Sequence, residues 1–515
     1  MISQARSFYT GNVLFKRLRK LLRGSSTSST PPDRTDPDPN SADSGEAETS
    51  KIGQTPSSED RERQDIEKRL ASLSLTEEQT ARRQHARERL VRQTGVVLKL
   101  GRMLMGAGAG AYRVKTSMAR LAAAVGIDEF HSQVFFHEVT TTAFASGTFR
   151  TELAEQRAIG VNAARIDDLR ALVRNLHPHM IAEDIDEKLD EIATRPALYS
   201  PMQLAIASGA GCACFGWLNK CGPIDCLAVL IAAFLGQALR VWLNRRKVNH
   251  AAVWMLCSIL SCSIYVALVQ ALFVTGMVDD THQAGIVSAI LFLIPGFPLT
   301  TAILDLVRFD LVAGVMRGLY VLILMVSAGV GAWFVTSLFS WEVTAAAPDL
   351  GLSTLQLYGL NTAATFVAAF CFAVLFNCRP RVAACAALVG AALNPARILL
   401  NANGAPSQLM AGIMALLVGL TATAIALRTY YSRVSLSVPA VVIMIPGVPF
   451  YRAINALNDG SFMQALGSLT SISFVILAIG VGLAAARMLT DPGWTFEQPL
   501  TLPDRLLGNK KTSIH

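Results

Sequence analysis

The residues best placed to do chemistry are Asp305, Asp310 and Arg317, with Arg308 among them, because they follow directly on an apolar run. Charges at or near membrane depth are costly and are retained for ion pathways, proton relays or pairing. Asp305 is therefore a candidate proton carrier or ammonium partner, and the alternative is a solvated loop in which it pairs with Arg308. Arg452 is a candidate to hold a substrate carboxylate, since a planar guanidinium matches a carboxylate with two parallel hydrogen bonds. The alternative for Arg452 is snorkelling to the membrane interface. Asn361, Asn394 and Arg397 are the remaining polar residues deep in apolar runs, where asparagines commonly bond between helices.

Both charged stretches lie just beyond a repeated motif. Ile294-Pro295-Gly296-Phe297-Pro298-Leu299 recurs as Ile445-Pro446-Gly447-Val448-Pro449-Phe450, and the same offset carries Ala302 and Ile303 onto Ala453 and Ile454. A repeat of this kind implies two related halves. A proline within a helix removes a donor and clashes with the carbonyl four residues back, so Pro295 and Pro298 should free the carbonyls of Leu291 and Ile294. Pro446 and Pro449 should do the same for Val442 and Ile445. Unpaired carbonyls at membrane depth are tolerated only against protein or a water-filled cavity, so the matched breaks point to a polar site between the halves. The plainer alternative is a pair of kinked packing helices.

Around these motifs the chain is 515 residues long, carries a formal net charge of +8 and has only 16% charged residues. Its mean hydropathy is +0.39, and the apolar residues concentrate after Tyr199. That composition predicts a polytopic membrane protein with a polar front end. Residues 1–92 read as a basic and polar N-terminal region. Met1 to Gly24 offers no apolar core for a signal peptide; Leu14, Leu18, Leu21 and Leu22 share a helical face, which suits either an anionic membrane surface or a disordered basic tail. Ser25 to Asp60 is too poor in apolar residues to bury a core, and Glu59 to Arg92 reads as a charged, solvated helix.

Residues 93–198 read as a small α+β domain. Helices are expected over Val96 to Met105, Tyr112 to Val125, Arg165 to Leu176 and Ala182 to Thr194, with strands over Phe130 to Val139, Thr142 to Ser146 and Thr148 to Ala154. Gly106-x-Gly108-x-Gly110 lacks the preceding strand and the Gly-Lys-Ser/Thr ending of a phosphate loop, so helix packing is the better expectation. The nine cysteines match no zinc spacing and read as small packing residues.

After Pro201 there are about ten apolar runs, each near the length of roughly 20 residues that a span requires. The fourth, Ala284 to Phe297, and the ninth, Ser437 to Phe450, are short and interrupted, and Asn394-Pro395 should interrupt the seventh. The runs divide into two sets of five, residues 199–345 and 346–490, followed by a tail, 491–515. Arg245, Arg246, Lys247, Arg379, Arg381, Arg428, Arg433, Arg505, Lys510 and Lys511 fall on one side of the alternating loops, which puts both termini in the cytoplasm. An odd number of spans per half then makes the repeats inverted, an architecture of alternating-access carriers.

The order of these parts resembles the threonine/serine exporter family. The resemblance rests on Gly108-Ala109-Gly110-Ala111-Tyr112-Arg113-Val114, on the two Pro-Gly-x-Pro elements, and on Asp305, Asp310, Tyr451 and Arg452. It covers roughly Val96 to Leu489. It implies proton-driven export of small amino acids, threonine and serine, across the inner (plasma) membrane, without a cofactor. Similar proteins occur as two chains matching the two halves, some associated with dicarboxylate export, so a dicarboxylate such as succinate is the alternative substrate. Two positions depart from the family pattern: Lys115 stands where an acidic residue commonly follows Arg-Val, and Phe309 where glycine often precedes the aspartate.

The partners expected are thus a small amino acid, protons and membrane lipid, with no nucleic acid and with homo-oligomerisation left open. The basic charge needs only anionic lipid to explain it. A membrane hydrolase using His131, His137, His177 or His179 finds no metal or nucleophile motif in support. A scaffold merely anchored by its spans sits poorly with ten of them in inverted sets.

Overall fold

The computed structural model describes residues 58–157, 160–275, 285–339, 351–445 and 459–495, together with positions 449, 453, 456 and 457. The amphipathic stretch proposed for Met1 to Gly24, together with Pro446, Gly447 and Arg452, lies outside them.

Helix α1 runs from Ser58 to Gly106, so the charged segment and the expected Val96 to Met105 helix are one element. Its C-terminal turns bury Leu90, Val97, Leu100 and Leu104. Helix α2 (Ala111–Ala124) follows a turn at Gly108, whose φ of 90° is open to glycine at little cost. Three strands, β1 (Glu129–Val134), β2 (Glu138–Ala145) and β3 (Thr148–Glu155), form an antiparallel meander in the order β1-β2-β3. The register sets Phe130 opposite Ala143 and Thr142 opposite Thr151. Every second residue of β2 is buried, the period of a sheet with one face on a core. The single strand expected over Phe130 to Val139 is therefore two strands joined by a turn through Phe135, Phe136 and His137. Helices α3 (Ala163–Arg174) and α4 (Ala182–Thr194) complete this region, and α4 is tied to α1 by Lys99, which pairs with Asp186 at 2.6 Å and Asp190 at 2.8 Å.

The remainder of the described chain is mainly helical. Among the described residues, seven helices are long and apolar enough to cross a membrane: α6 (Pro223–Arg245), α7 (His250–Val274), α10 (Leu311–Leu338), α11 (Thr354–Leu375), α12 (Pro380–Ala402), α13 (Ser407–Arg428) and α15 (Phe462–Thr490). Three shorter apolar pieces accompany them: α5 (Pro201–Leu218), α9 (Gly296–Val307) and α14 (Arg433–Val442). The single turn α8 (Gly285–Ala289) precedes α9, and the turn α16 (Pro492–Thr495) closes the described chain. Serine or proline at the first positions fixes several starts: Ser200 and Ser353 form reciprocal caps with Gln203 and Gln356, and Pro223 and Pro380 occupy a position whose amide is orphaned in any case.

The interruption expected at Asn394-Pro395 does not occur. Helix α12 runs through Pro395, and its polar residues bond sideways: Asn394 Nδ2 donates to Thr365 Oγ1 at 3.1 Å and Arg397 Nε donates to Asn394 Oδ1 at 3.0 Å. Prolines persist inside membrane helices where neighbouring groups meet the local polar demand. In each half of the helical region the first long or intermediate helix packs on the second and the second on the third; α5 also packs on α11.

Candidate functional site

The first Pro-Gly-x-Pro element breaks its helix. The backbone passes from α8 through one 3-10 turn (Leu291–Leu293) and an extended Ile294 (φ −66°, ψ 116°) to Pro295, which opens α9. Pro298 falls in the first turn of α9, where amides have no intrahelical acceptor, so it starts a helix instead of breaking one.

The orphaned carbonyls are accordingly not the pair expected. Leu291 O accepts from Ile294 N at 3.0 Å, and Ile294 O accepts from Gly296 N at 2.8 Å. Because the α-helical pattern ends before Pro295, the groups left over are Phe292 O and Leu293 O. Two side chains reach across to fill them: Arg240 Nη1 donates to Phe292 O at 2.9 Å and Trp254 Nε1 to Leu293 O at 2.5 Å. Backbone polar groups buried without partners are expensive, so these two residues are what the break requires.

Beside the break lies a cavity of about 200 Å³, whose lining includes Ile294, Pro295, Pro298, Arg240, Trp254 and Tyr320. Arg240 stacks over Trp254 with its guanidinium carbon 4.8 Å from the ring centroid. His250, also in the lining, has Nδ1 2.9 Å from the Tyr320 hydroxyl. A half-buried guanidinium, an indole face and a hydroxyl can hold one carboxylate and the polar remainder of a small metabolite. The space is below the range typical of pockets for drug-sized ligands, which suits a small solute.

Arg240, Trp254, His250 and Tyr320 escaped the sequence reading. Arg240 alone carried a usable signal, a single cation inside the apolar run from Pro223 to Leu243. The two aromatics and the histidine look like packing residues in any window of sequence.

Asp305 and Arg317 are brought together, though not in this cavity. They are 3% and 4% exposed, and Arg317 Nη1 lies 3.2 Å from Asp305 Oδ2. Asp305 Oδ1 accepts from the amide of Ala111 at 3.0 Å, and Arg317 Nη2 donates to the carbonyl of Ala109 at 3.1 Å. Ala111 is the first residue of α2, so the carboxylate sits on the positive end of a helix. The last two glycines before α2 lie against α9: a β-carbon on Gly110 would come 2.8 Å from Asp305 Oδ1, and one on Gly108 3.5 Å from Phe297 Cε1. Asp310 opens α10 and pairs with Lys115, so the lysine at the departing position has its own acidic partner. Phe309, the other departure, has a φ of 62°, the left-handed conformation that favours glycine.

A second carboxylate repeats the pattern of Asp305. Asp167 on α3 is buried and accepts from Ser432 N at 2.8 Å and Ser435 Oγ at 3.1 Å, at the N-terminus of α14. Burial pushes its carboxyl above the ordinary carboxylate range, against the hydrogen bonds and the Arg113 charge that favour ionisation. In return, the first amides of α3, Ala163 N and Ala164 N, donate to Phe376 O and Asn377 O at the end of α11.

Of the other expected site residues, Asn361 accepts from Trp217 Nε1 at 3.2 Å, between α11 and α5, and Asn394 joins α12 to α11 as above. Pro449 is half-buried. The four histidines of the α+β region are not gathered into one site: His131 pairs with Glu129 at 2.8 Å, His137 packs on Phe136, and His177 and His179 are exposed. The nine cysteines are free and buried or half-buried.

Comparison with known proteins meets this geometry from outside. One threonine/serine exporter model matches residues 95–339, and a second, "Threonine/Serine exporter, ThrE", matches residues 361–489. Among curated proteins, the chain is 23% identical over 239 residues to the "Probable succinate transporter subunit YjjP" of Escherichia coli K12, an alignment covering 46% of this chain and 91% of the relative. The protein of the same name from Klebsiella aerogenes is 21% identical over 225 residues, covering 44% of this chain and 85% of the relative. No solved structure matches the chain. With both family matches in one polypeptide and seven apolar membrane-length helices, the chain is a multi-pass membrane protein of the threonine/serine exporter family.

Proposed function

We propose that the protein is a secondary transporter that exports threonine and serine in exchange for protons, and that the cavity at the Pro295 break is where the substrate carboxylate is held. The observation that carries this reading is the Arg240 guanidinium, which lines that cavity while it also satisfies the broken backbone. Exchange of a backbone carbonyl for a carboxylate at one guanidinium lets substrate binding alter the break itself.

The architecture in this reading is ten crossings in two inverted five-helix halves, with both termini on the cytoplasmic face of the inner membrane. Seven long helices, α5 and the two interrupted segments make up that number. Its support is the parallel order of helix packing in the two halves, the repeated Pro-Gly-x-Pro element and the side on which the basic loops fall.

Proton coupling is assigned to Asp305. A proton on its carboxylate would cancel the attraction to Arg317 and loosen the hold of that pair on Ala109 and Ala111, freeing α9 and α10 from the start of α2. Asp310 with Lys115 forms the neighbouring pair that would move with it.

Succinate is the second reading, favoured by the name of the curated relatives. A dicarboxylate asks for a second cation, and Arg240 is the one arginine or lysine among the described residues lining the cavity. Proteoliposomes loaded with labelled threonine, serine or succinate test the choice. Efflux of threonine and serine accelerated by an inward proton gradient supports the proposal; efflux of succinate alone replaces the substrate, and movement of none of the three overturns the reading.

A further inference from the structure

A second cavity, of about 300 Å³, opens between α2 and α3 on one side and α14 and α15 on the other. Six arginines line it: Arg113 and Arg120 from α2, Arg170 and Arg174 from α3, Arg433 from α14 and Arg487 from α15. Among the described residues lining it, Asp491 is the one acidic residue, and it lies 3.7 Å from Arg433.

Most of these guanidinium groups are only partly engaged. Arg170 donates to Tyr431 O, Arg174 donates to Thr429 O at 3.2 Å, and Arg487 stacks over Trp494 at 5.3 Å. Arg113 Nη1 is buried and has no hydrogen-bond partner among the described residues. Burial, with the charges of Arg487 and Arg170, brings the Arg113 guanidinium down to about 9, so it still carries its charge at neutral pH. Arg120 and Arg174 are exposed at the rim, while the other four arginines are half-buried. Like charges gathered in a half-enclosed space repel unless a counter-ion joins them. Asp491, beside Arg433, and the buried Asp167, whose charge reaches Arg113 and Arg170, offset two of the six.

We propose that this cavity is a binding site for a phosphate-class anion, either a soluble diphosphate or the headgroup of an anionic phospholipid, which clamps α2 and α3 to α14 and α15. Guanidinium forks suit phosphate oxygens because each presents two parallel donors. The cavity is lined by none of the Arg240 site residues, so the proposal does not depend on which solute the carrier moves.

The test uses the full-length protein in nanodiscs, with inorganic pyrophosphate as the soluble probe and calorimetric titration as the readout. Discs of phosphatidylcholine isolate the soluble ligand, and discs containing phosphatidylglycerol add the lipid headgroup. Arg120→Gln is the principal variant, because an exposed rim residue can be changed without disturbing the core; Arg113→Gln is the second. Pyrophosphate binding in phosphatidylcholine discs, weakened roughly tenfold or more by either variant, supports the soluble source. Binding absent there, with a thermal stabilisation by phosphatidylglycerol that Arg120→Gln removes, supports the lipid source. The proposal falls if neither probe acts, if the variants leave both effects unchanged, or if succinate binds at this cavity as tightly as pyrophosphate.

Discussion

Gly296 sits against Val442 so closely that a β-carbon on the glycine would come within 2.6 Å of Val442 Cγ2. Gly296 is the first residue of α9, just past the first break, and Val442 is the last of α14, just before the second motif. The helix that follows the first motif and the helix that precedes the second therefore meet, and they meet where a β-carbon would displace Val442.

Gly296→Ala should force α9 and α14 apart. Overpacking of this kind costs about 1–3 kcal/mol, read as a lowered thermal midpoint together with loss of efflux. Val442→Ala in the same chain removes the clashing methyl groups and should restore both. A Gly296→Ala protein as stable and active as the parent would show that the contact is dispensable.

Asp305→Asn keeps an acceptor for the Ala111 amide but strands the Arg317 guanidinium. Breaking a buried pair from one side costs about 3–5 kcal/mol. The double variant with Arg317→Met should recover part of that loss. In transport, Asp305→Asn should leave exchange independent of the proton gradient; gradient-driven efflux at parental rates would place the proton elsewhere.

Phe309→Gly is expected to stabilise the protein. The phenylalanine is 74% exposed and holds a left-handed φ of 62°, a conformation that costs an L-residue about 1–2 kcal/mol. Glycine avoids that cost but gives the unfolded chain more freedom, worth about 0.5–1 kcal/mol, so a net gain of up to about 1.5 kcal/mol should appear as a raised unfolding midpoint. A lowered midpoint would mean that the aromatic ring makes a stabilising contact.

Asp167 gives a pH signature. Burial raises its carboxyl in the folded state, so the folded protein holds that proton more tightly than the unfolded chain does. Its contribution to stability is present below the ordinary carboxyl value of 3.8 and is lost as pH rises through the folded value. Thermal unfolding followed from acid towards neutral pH should show that downward slope in the parent and a shallower one in Asp167→Asn. Parallel curves would mean that the carboxyl titrates normally.

Much of the helical framework could be read from the chain itself. Pro201–Leu218, Leu311–Leu338 and Ala182–Thr194 begin and end where the sequence pattern places them. The turn at Phe135 to His137 was hidden because it contains neither glycine nor proline and lies among aromatic residues that favour strands. Pro395 looked like a break because local rules take no account of side chains on a neighbouring helix. The candidate site was half legible. Pro295 and Gly296 marked the break, but which carbonyls it released depended on where α8 ended, and Arg240 and Trp254 come from two other helices. The contacts of Asp305 with Ala111 and of Asp167 with Ser432 join residues far apart in sequence, and no local period announces them.

The most direct test of the account is the saturation of threonine efflux in proteoliposomes carrying Arg240→Gln, beside Arg240→Lys and the parent. If the guanidinium holds the substrate carboxylate at the break, Arg240→Gln should raise the half-saturating concentration by roughly tenfold or more, and lysine should restore only part of the loss because it cannot form the paired bonds. Unchanged half-saturation and rate in Arg240→Gln would contradict the assignment of this cavity as the substrate site.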